Sequence, residues 1–83
     1  MVTRAELIEV LHSCGVVTLL ERGVEGAFLD GSVDFPMGEL RMDSLSAMEF
    51  CIALENTWGL SIAPVDVGRL GTLDGLLARL AGS

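Results

Sequence analysis

The residues of this chain that could take part in chemistry are few, and most of them stand alone. The 83-residue sequence has one histidine, His12, and two cysteines, Cys14 and Cys51. They form no plausible base–nucleophile pair, and a zinc site needs about four ligands from closely spaced pairs. We therefore expect no catalytic residue and no metal ligand. The more suggestive pair is Asp43-Ser44, just before a strong helical pattern. A hydroxyl there lies where backbone N–H groups and the helix dipole favour an anion.

Composition excludes several functional classes. Five Lys and Arg stand against twelve Asp and Glu, which gives a net charge of −7, and there is no lysine. Nucleic-acid binding needs clustered basic residues, so we exclude it. The most apolar stretches, Val16–Leu20 and Phe50–Leu54, are five residues long, far short of the roughly 20 that cross a membrane. We expect one domain over residues 1–83, with a thin core. Without a signal-peptide pattern it should be cytoplasmic, with buried free thiols at Cys14 and Cys51.

The first half of the chain predicts one clear helix and one ambiguous segment. Thr3-Arg4-Ala5-Glu6 fits a capping box, and apolar residues follow at helical spacing, so we predict a helix over Thr3–Gly15 with His12 exposed and without a role. The glycine-rich segment from Val16 to Asp43 predicts a long loop, whose first part would also suit a helix. Its expected anchors in the core are Phe28, Leu29, Phe35, Met37 and Leu40.

The second half predicts three further helices. The longest runs from Leu45 to Trp58, with Asp43 or Ser44 as N-cap and Gly59 after its end. Pro64 suits the first turn of a short helix over Pro64–Leu70, and Thr72 can cap a last helix whose apolar stripe is Leu73, Leu76, Leu77 and Leu80. Together, these predicted elements give an all-α domain with three main helices and one short helix.

The helix from Leu45 to Trp58 has more apolar positions than one core-facing stripe needs. We assign Leu45, Phe50, Leu54 and Trp58 to the inward row. Met48 and Ile52 form a different row, which we expect to face a partner, and Glu49 suits a basic partner surface. Leu45, next to Ser44, is also counted among the partner-binding residues.

The stretch Leu40-Arg41-Met42-Asp43-Ser44-Leu45 resembles the attachment motif of acyl carrier proteins. In that family a Leu-Gly-x-Asp-Ser-Leu stretch presents a serine for 4′-phosphopantetheine. The resemblance continues in Glu49, five residues after the serine, in the Ile-x-Pro pattern that ends at Pro64, and in Leu-Gly-Thr-Leu before the last helix. The family usually has Gly where this chain has Arg41, a change that alters the backbone turn and places a cation close to the phosphate.

The resemblance implies a fold, a cofactor and a set of partners. The chain would be a small four-helix bundle of the acyl-carrier type and a monomer, not an enzyme. Ser44 would carry 4′-phosphopantetheine, derived from coenzyme A, with Asp43 as its orienting neighbour. The arm would hold the acyl group as a thioester on its own terminal thiol, so neither cysteine is that thiol. Implied partners are a phosphopantetheinyl transferase and acyl- or aminoacyl-loading and condensing enzymes.

Three hypotheses about function stay open at this point. The first is a free-standing acyl carrier protein of fatty-acid, polyketide or other natural-product biosynthesis. With only Glu49 and Glu55 as acids in the second helix, we favour a specialised pathway. The second is a peptidyl or aminoacyl carrier, although Asp43 before the serine is more typical of acyl carriers. The third is an unmodified helical module that binds a partner helix through the apolar face of Leu45–Trp58.

Overall fold

The computed structural model describes residues 2–81, and within that range it contains helices, turns and one isolated bridge but no β-strand. Three longer helices are α1 (Arg4–Ser13), α4 (Ser44–Trp58) and α5 (Leu73–Ala81). Two short helices, α2 (Thr18–Glu21) and α3 (Glu25–Leu29), and two 3₁₀ helices, Met37–Leu40 and Pro64–Arg69, lie between them. The predicted all-α bundle with three main helices is thus confirmed. In the described part of the chain, no helix is long and apolar enough to cross a bilayer.

Helix α1 begins as the capping box predicts. The Thr3 hydroxyl accepts a hydrogen bond from the Glu6 backbone N–H at 3.1 Å, and a Glu6 carboxylate oxygen accepts one from the Thr3 N–H at 3.0 Å. The helix ends at Ser13, two residues before the predicted end, because Cys14 is its C-cap and Gly15 has a φ of 79°. Glycine adopts this left-handed conformation without steric cost, so Gly15 turns the chain away from the helix axis.

Residues 16–43, predicted as mainly loop, contain α2, α3 and the first 3₁₀ helix. The two α-helices have four and five residues, too few for a helical period to show in the sequence. A left-handed glycine follows each of them, Gly23 with φ 71° and Gly31 with φ 86°. Four of the five predicted anchors are buried, namely Phe28, Phe35, Met37 and Leu40. The prediction for Leu29 is wrong, because its side chain, in the last turn of α3, is 41% exposed.

The core lies between the three longer helices. Each contributes fully buried side chains: Leu7 and Leu11 from α1, Phe50 and Leu54 from α4, Leu73 and Leu76 from α5. The prediction that Leu45 faces inward is wrong, because it is 58% exposed. Trp58 is half-buried at the C-terminal end of α4 and packs against the core.

The segment before the first 3₁₀ helix is fastened to the start of α5. The Met37 N–H donates to the Gly71 carbonyl and the Leu73 N–H donates to the Phe35 carbonyl, both at 2.8 Å. Asp34 Oδ1 accepts from the Asp74 N–H at 2.9 Å, so this carboxylate caps α5 from across the chain. These bonds hold the first 3₁₀ helix, and with it the residues that lead into α4, against the bundle.

Contacts from α1 tie both α3 and α5 into the bundle. His12, which the sequence left without a role, places Nε2 at 2.6 Å from Glu25 Oε1 and so joins α1 to α3. The predicted exposure of His12 is confirmed, and the contact was not expected because Glu25, thirteen positions away, reaches the histidine only in the folded chain. Arg4 Nη2 lies 2.6 Å from Asp74 Oδ1, and Arg4 Nη1 donates to the Phe28 carbonyl at 3.2 Å.

Candidate functional site

The sequence left Asp43 and Ser44 as candidates for the N-cap of α4, and the structure shows which of them it is. Asp43 is the N-cap: its backbone is extended, with φ −76° and ψ 178°, and its Oδ1 accepts a hydrogen bond from the Ser46 N–H at 2.7 Å. This hydrogen bond is the main reason that the pKa of the Asp43 carboxyl lies below its usual value. Asp43 is therefore ionised at neutral pH. Ser44 is left as the first residue of the helix.

The Ser44 hydroxyl is exposed and is not used by the fold. It makes no hydrogen bond to any residue in the range 2–81. Ser44 borders an open cleft of about 320 Å³ between α4 and the second 3₁₀ helix, whose lining residues are Met42, Asp43, Ser44, Ala47, Pro64 and Val65. A partner enzyme can thus approach the hydroxyl from solvent. The position fits a phosphodiester, since it combines an accessible oxygen with the positive end of the α4 dipole.

Arg41 occupies a strained backbone conformation three residues before Ser44. Its φ of 55° and ψ of 45° make it the one non-glycine residue with positive φ in the described range. The chain therefore makes, with an arginine, the left-handed turn that usually needs glycine. The turn ends the first 3₁₀ helix and lets Met42 and Asp43 run into α4. Arg41 also borders a second cleft, of about 460 Å³, which reaches from Val16 and Thr18 to Ser46.

One face of α4 is apolar and open to solvent. Leu45, Met48 and Ile52 are 58%, 46% and 51% exposed. Spacings of three and four residues place them on one side of the helix, and the exposed Glu49 belongs to the same side. We refer to Leu45, Met48, Glu49 and Ile52 as the exposed α4 face. The structure thus brings together, next to Ser44, all four residues that the sequence predicted to bind partners.

Both cysteines are buried inside the bundle and lie apart from this surface. Cys14 and Cys51 are free thiols with 7% and 6% exposure. Burial is the main cause that raises the pKa of each thiol, so both are protonated at neutral pH. The predicted burial of the two free thiols is confirmed.

Two residues lie near the site although no sequence pattern predicted their position there. Val65 is 83% exposed and borders the Ser44 cleft. The Thr18 hydroxyl donates a hydrogen bond to the Leu40 carbonyl at 2.8 Å, which fastens α2 to the residues that precede Ser44. Both placements depend on how distant segments pack. The proline at position 64 predicted a helix start, but not the side of α4 on which it would lie.

A family model described as a phosphopantetheine attachment site matches residues 16–80. Neither a curated protein nor a solved structure matched the chain significantly. The family match covers α4 and its flanking segments, and it bears out the resemblance that the sequence showed. It also identifies the prosthetic group as 4′-phosphopantetheine and the molecule as a non-catalytic carrier. Carriers of this kind interact with phosphopantetheinyl transferases and with biosynthetic enzymes.

Proposed function

Because the chain belongs to the family of phosphopantetheine carrier domains, we propose that it carries acyl intermediates as thioesters on an arm attached to Ser44. The main observation behind this proposal is that Asp43 caps α4, whereas the Ser44 hydroxyl takes no part in the cap. Asp43 satisfies the Ser46 N–H at 2.7 Å, and the Ser44 hydroxyl stays exposed at the edge of a cleft. The helix therefore does not depend on this hydroxyl, and a transferase can convert it into an ester without breaking a native contact.

Each residue around the motif has a defined task in this proposal. The Ser44 hydroxyl oxygen loses its proton and becomes one ester oxygen of the phosphodiester, while the pyrophosphate bond of coenzyme A breaks and its nucleotide part leaves. Asp43 fixes the first turn of α4 and hence the direction of the Ser44 side chain. The bound arm supplies the terminal thiol on which the acyl group is held. Cys14 and Cys51 are buried and protonated, so they do not compete for the acyl group.

The exposed α4 face supports contact with partner enzymes beside the arm. An enzyme that takes hold of the end of an arm rooted at Ser44 has to come close to the first turns of α4. Leu45, Met48 and Ile52 offer it apolar contacts, and Glu49 together with the net charge of −7 favours a basic partner surface. With only Glu49 and Glu55 as acids in this helix, we assign the chain to a specialised natural-product or polyketide pathway rather than to general fatty-acid synthesis.

The test is modification followed by loading. The purified protein is incubated with coenzyme A and a broad-specificity phosphopantetheinyl transferase, and its intact mass is measured. We expect the mass to rise by one phosphopantetheine group in the wild type and in Ser46→Ala, and to stay unchanged in Ser44→Ala. Circular dichroism should show that all three are folded. Mass gain in folded Ser44→Ala would refute the site, and no gain in the wild type would favour the unmodified interaction module.

A second step separates acyl from peptidyl cargo. The modified protein is offered to acyl-loading and to aminoacyl-adenylating enzymes under the same conditions, and thioester formation is followed by intact mass. We expect acyl groups to be accepted and aminoacyl groups to be rejected. Preferential aminoacyl loading would establish a peptidyl or aminoacyl carrier instead.

A further inference from the structure

Arg41 has an unfavourable backbone conformation, and its charged side chain has no partner among the described residues. Its φ of 55° is unfavourable for any residue with a Cβ atom. Nevertheless its exposed guanidinium forms no hydrogen bond or ion pair with any residue in the described range. By contrast, Arg4 is paired with Asp74 and Arg22 with Glu39. A strained, exposed residue whose side chain makes no hydrogen bond or ion pair indicates a task outside the folding of the chain.

Modification of Ser44 would bring a second negative charge to the start of α4. A phosphodiester on Ser44 adds a negative charge directly beside the Asp43 carboxylate, whose own hydrogen bond to Ser46 keeps it ionised. The first turn of α4 contains no basic residue. Between Glu39 and Glu49 the only cation in the sequence is Arg41. A second negative charge next to Asp43 would otherwise be balanced only by the α4 dipole.

Arg41 is within reach of that charge. Three residues span at most about 11 Å when extended, and only Met42 separates the left-handed turn at Arg41 from the extended backbone of Asp43. Arg41 borders the 460 Å³ cleft and Ser44 the 320 Å³ cleft, and Asp43 lines both of them. The long arginine side chain, the Ser44 side chain and the phosphodiester can together close the gap. Guanidinium groups match phosphate oxygens with two parallel N–H donors.

We propose that Arg41 is a positioning residue for the phosphodiester attached to Ser44. It pairs with the non-bridging phosphate oxygens and thereby restricts the directions in which the arm leaves the protein. This inference rests on the proposed attachment at Ser44. Arg41 contributes little to the unmodified protein, because its partner is absent until the arm is attached.

The test compares the modified and unmodified forms of matched variants. Arg41→Asn removes the charge while keeping a residue that tolerates the left-handed region. Arg41→Lys keeps the charge. Arg69→Gln makes the same change in net charge at a solvent-exposed arginine in the second 3₁₀ helix, whose contact with Asp66 is 3.7 Å. Each protein is modified, its mass gain is confirmed, and the melting temperatures of both forms are measured at low and at high salt.

We expect modification to lower the melting temperature of Arg41→Asn by about 2–5 °C more than that of the wild type at low salt. The difference should vanish in 1 M salt, where the screening length is about 3 Å. Arg41→Lys, which keeps the charge but not the two parallel donors, should show a smaller effect than Arg41→Asn, and Arg69→Gln should behave like the wild type. As a second readout, the ³¹P resonance of the modified wild type should shift in Arg41→Asn but not in Arg69→Gln.

The outcomes separate this inference from the proposed function. If Ser44 gains the arm but Arg41→Asn matches the wild type in both readouts, the role of Arg41 is refuted and the carrier function stands. Equal effects of Arg41→Asn and Arg69→Gln would also refute it, since they would reflect net charge alone. If Ser44 gains no arm, the attachment site fails, and the role of Arg41 fails with it.

Discussion

The Asp43 carboxylate accepts a hydrogen bond of 2.7 Å from the backbone N–H of Ser46, which closes the first turn of α4 around the residue between them. A helix leaves its first backbone N–H groups without intrahelical partners, and a capping side chain satisfies one of them. Here the cap is the neighbour of Ser44 and not Ser44 itself. The serine can therefore be modified while the helix keeps its start.

The Asp43 hydrogen bond should make the stability of the chain depend on pH in a recognisable way. The pKa of Asp43 is lower in the folded chain than in the unfolded chain, because the Ser46 N–H stabilises its charged form. Its contribution to stability is therefore present above the unfolded pKa of about 3.9 and is lost as the pH falls through the folded pKa.

Asp43→Asn isolates this contribution, since asparagine also caps helices well but carries no charge. The wild type should melt at a higher temperature than Asp43→Asn at pH 7, and the two melting temperatures should converge at pH values below about 4. Melting curves across this range check the prediction. Parallel curves would show that the charge of Asp43 does not stabilise the folded chain.

Arg4 should stabilise the bundle through contacts with two other helices. Its Nη2 lies 2.6 Å from the buried Asp74 Oδ1, which has no hydrogen-bond partner of good geometry in the described range, so the ion pair is the contact that balances this oxygen. The guanidinium also stacks over the Phe28 ring, 4.7 Å from its centroid. Arg4 thus holds α1, α3 and α5 together.

Arg4→Met should lower the free energy of unfolding by about 1–2 kcal/mol, because it removes the contact to Phe28 and leaves the Asp74 carboxylate without its counter-charge. The side chains of the pair are 26% and 40% exposed, so solvent screens part of the interaction. Chemical denaturation checks the value. The same substitution in an Asp74→Asn background should cost less, whereas an equal cost would show that the ion pair contributes nothing.

Features that depend on residues close together in the sequence could be predicted, whereas contacts between distant segments could not. The capping box of Thr3 and Glu6 lies within four residues, and so does the Asp43-Ser44 motif, and the structure places both at helix starts. The contact between His12 and Glu25 spans thirteen positions and exists only after α1 and α3 pack. No local pattern predicts such a contact.

The error at Leu45 has a related cause. Periodicity shows which residues share a face of a helix, but not which face the rest of the chain covers. Helix α4 is apolar on more than one side, so two assignments were compatible with its sequence. The fold covers Phe50 and Leu54 completely and leaves Leu45 58% exposed.

The attachment motif was easier to find than its surroundings, because Val65 reaches the cleft only through the packing of the second 3₁₀ helix.

The two cysteines should be structural and unreactive in the folded protein. Burial raises the pKa of both thiols, so little of the reactive thiolate form is present at neutral pH. Iodoacetamide should label Cys14 and Cys51 slowly in the native chain and rapidly in denaturant, as followed by mass. Alanine at either position should cost about 1–2 kcal/mol of stability through lost packing. Loss of modification at Ser44 in a folded double-alanine variant would contradict this view.

Helix α4 has both exposed and buried apolar side chains, so substitutions in this one helix can distinguish effects on partner binding from effects on folding. Met48 and Ile52 are 46% and 51% exposed, whereas Phe50 and Leu54 on the same helix are fully buried. Truncation of an exposed side chain removes few contacts in the free protein, but truncation of a buried one leaves a cavity. Phe50→Ala and Leu54→Ala are thus matched controls, and each should cost about 2–5 kcal/mol of stability.

Met48→Ala and Ile52→Ala should each weaken transfer to or from partner enzymes about tenfold, which corresponds to about 1.4 kcal/mol. The reason is that a partner which reaches the arm at Ser44 docks against the first turns of α4 and covers these side chains. Their melting temperatures should stay close to that of the wild type, and Glu49→Gln should change the association rate and its salt dependence more than the affinity. Transfer kinetics and thermal melting, measured on the same preparations, check each part. If Met48→Ala and Ile52→Ala unfold the domain and leave transfer by the folded fraction unchanged, this row belongs to the core and partners bind elsewhere.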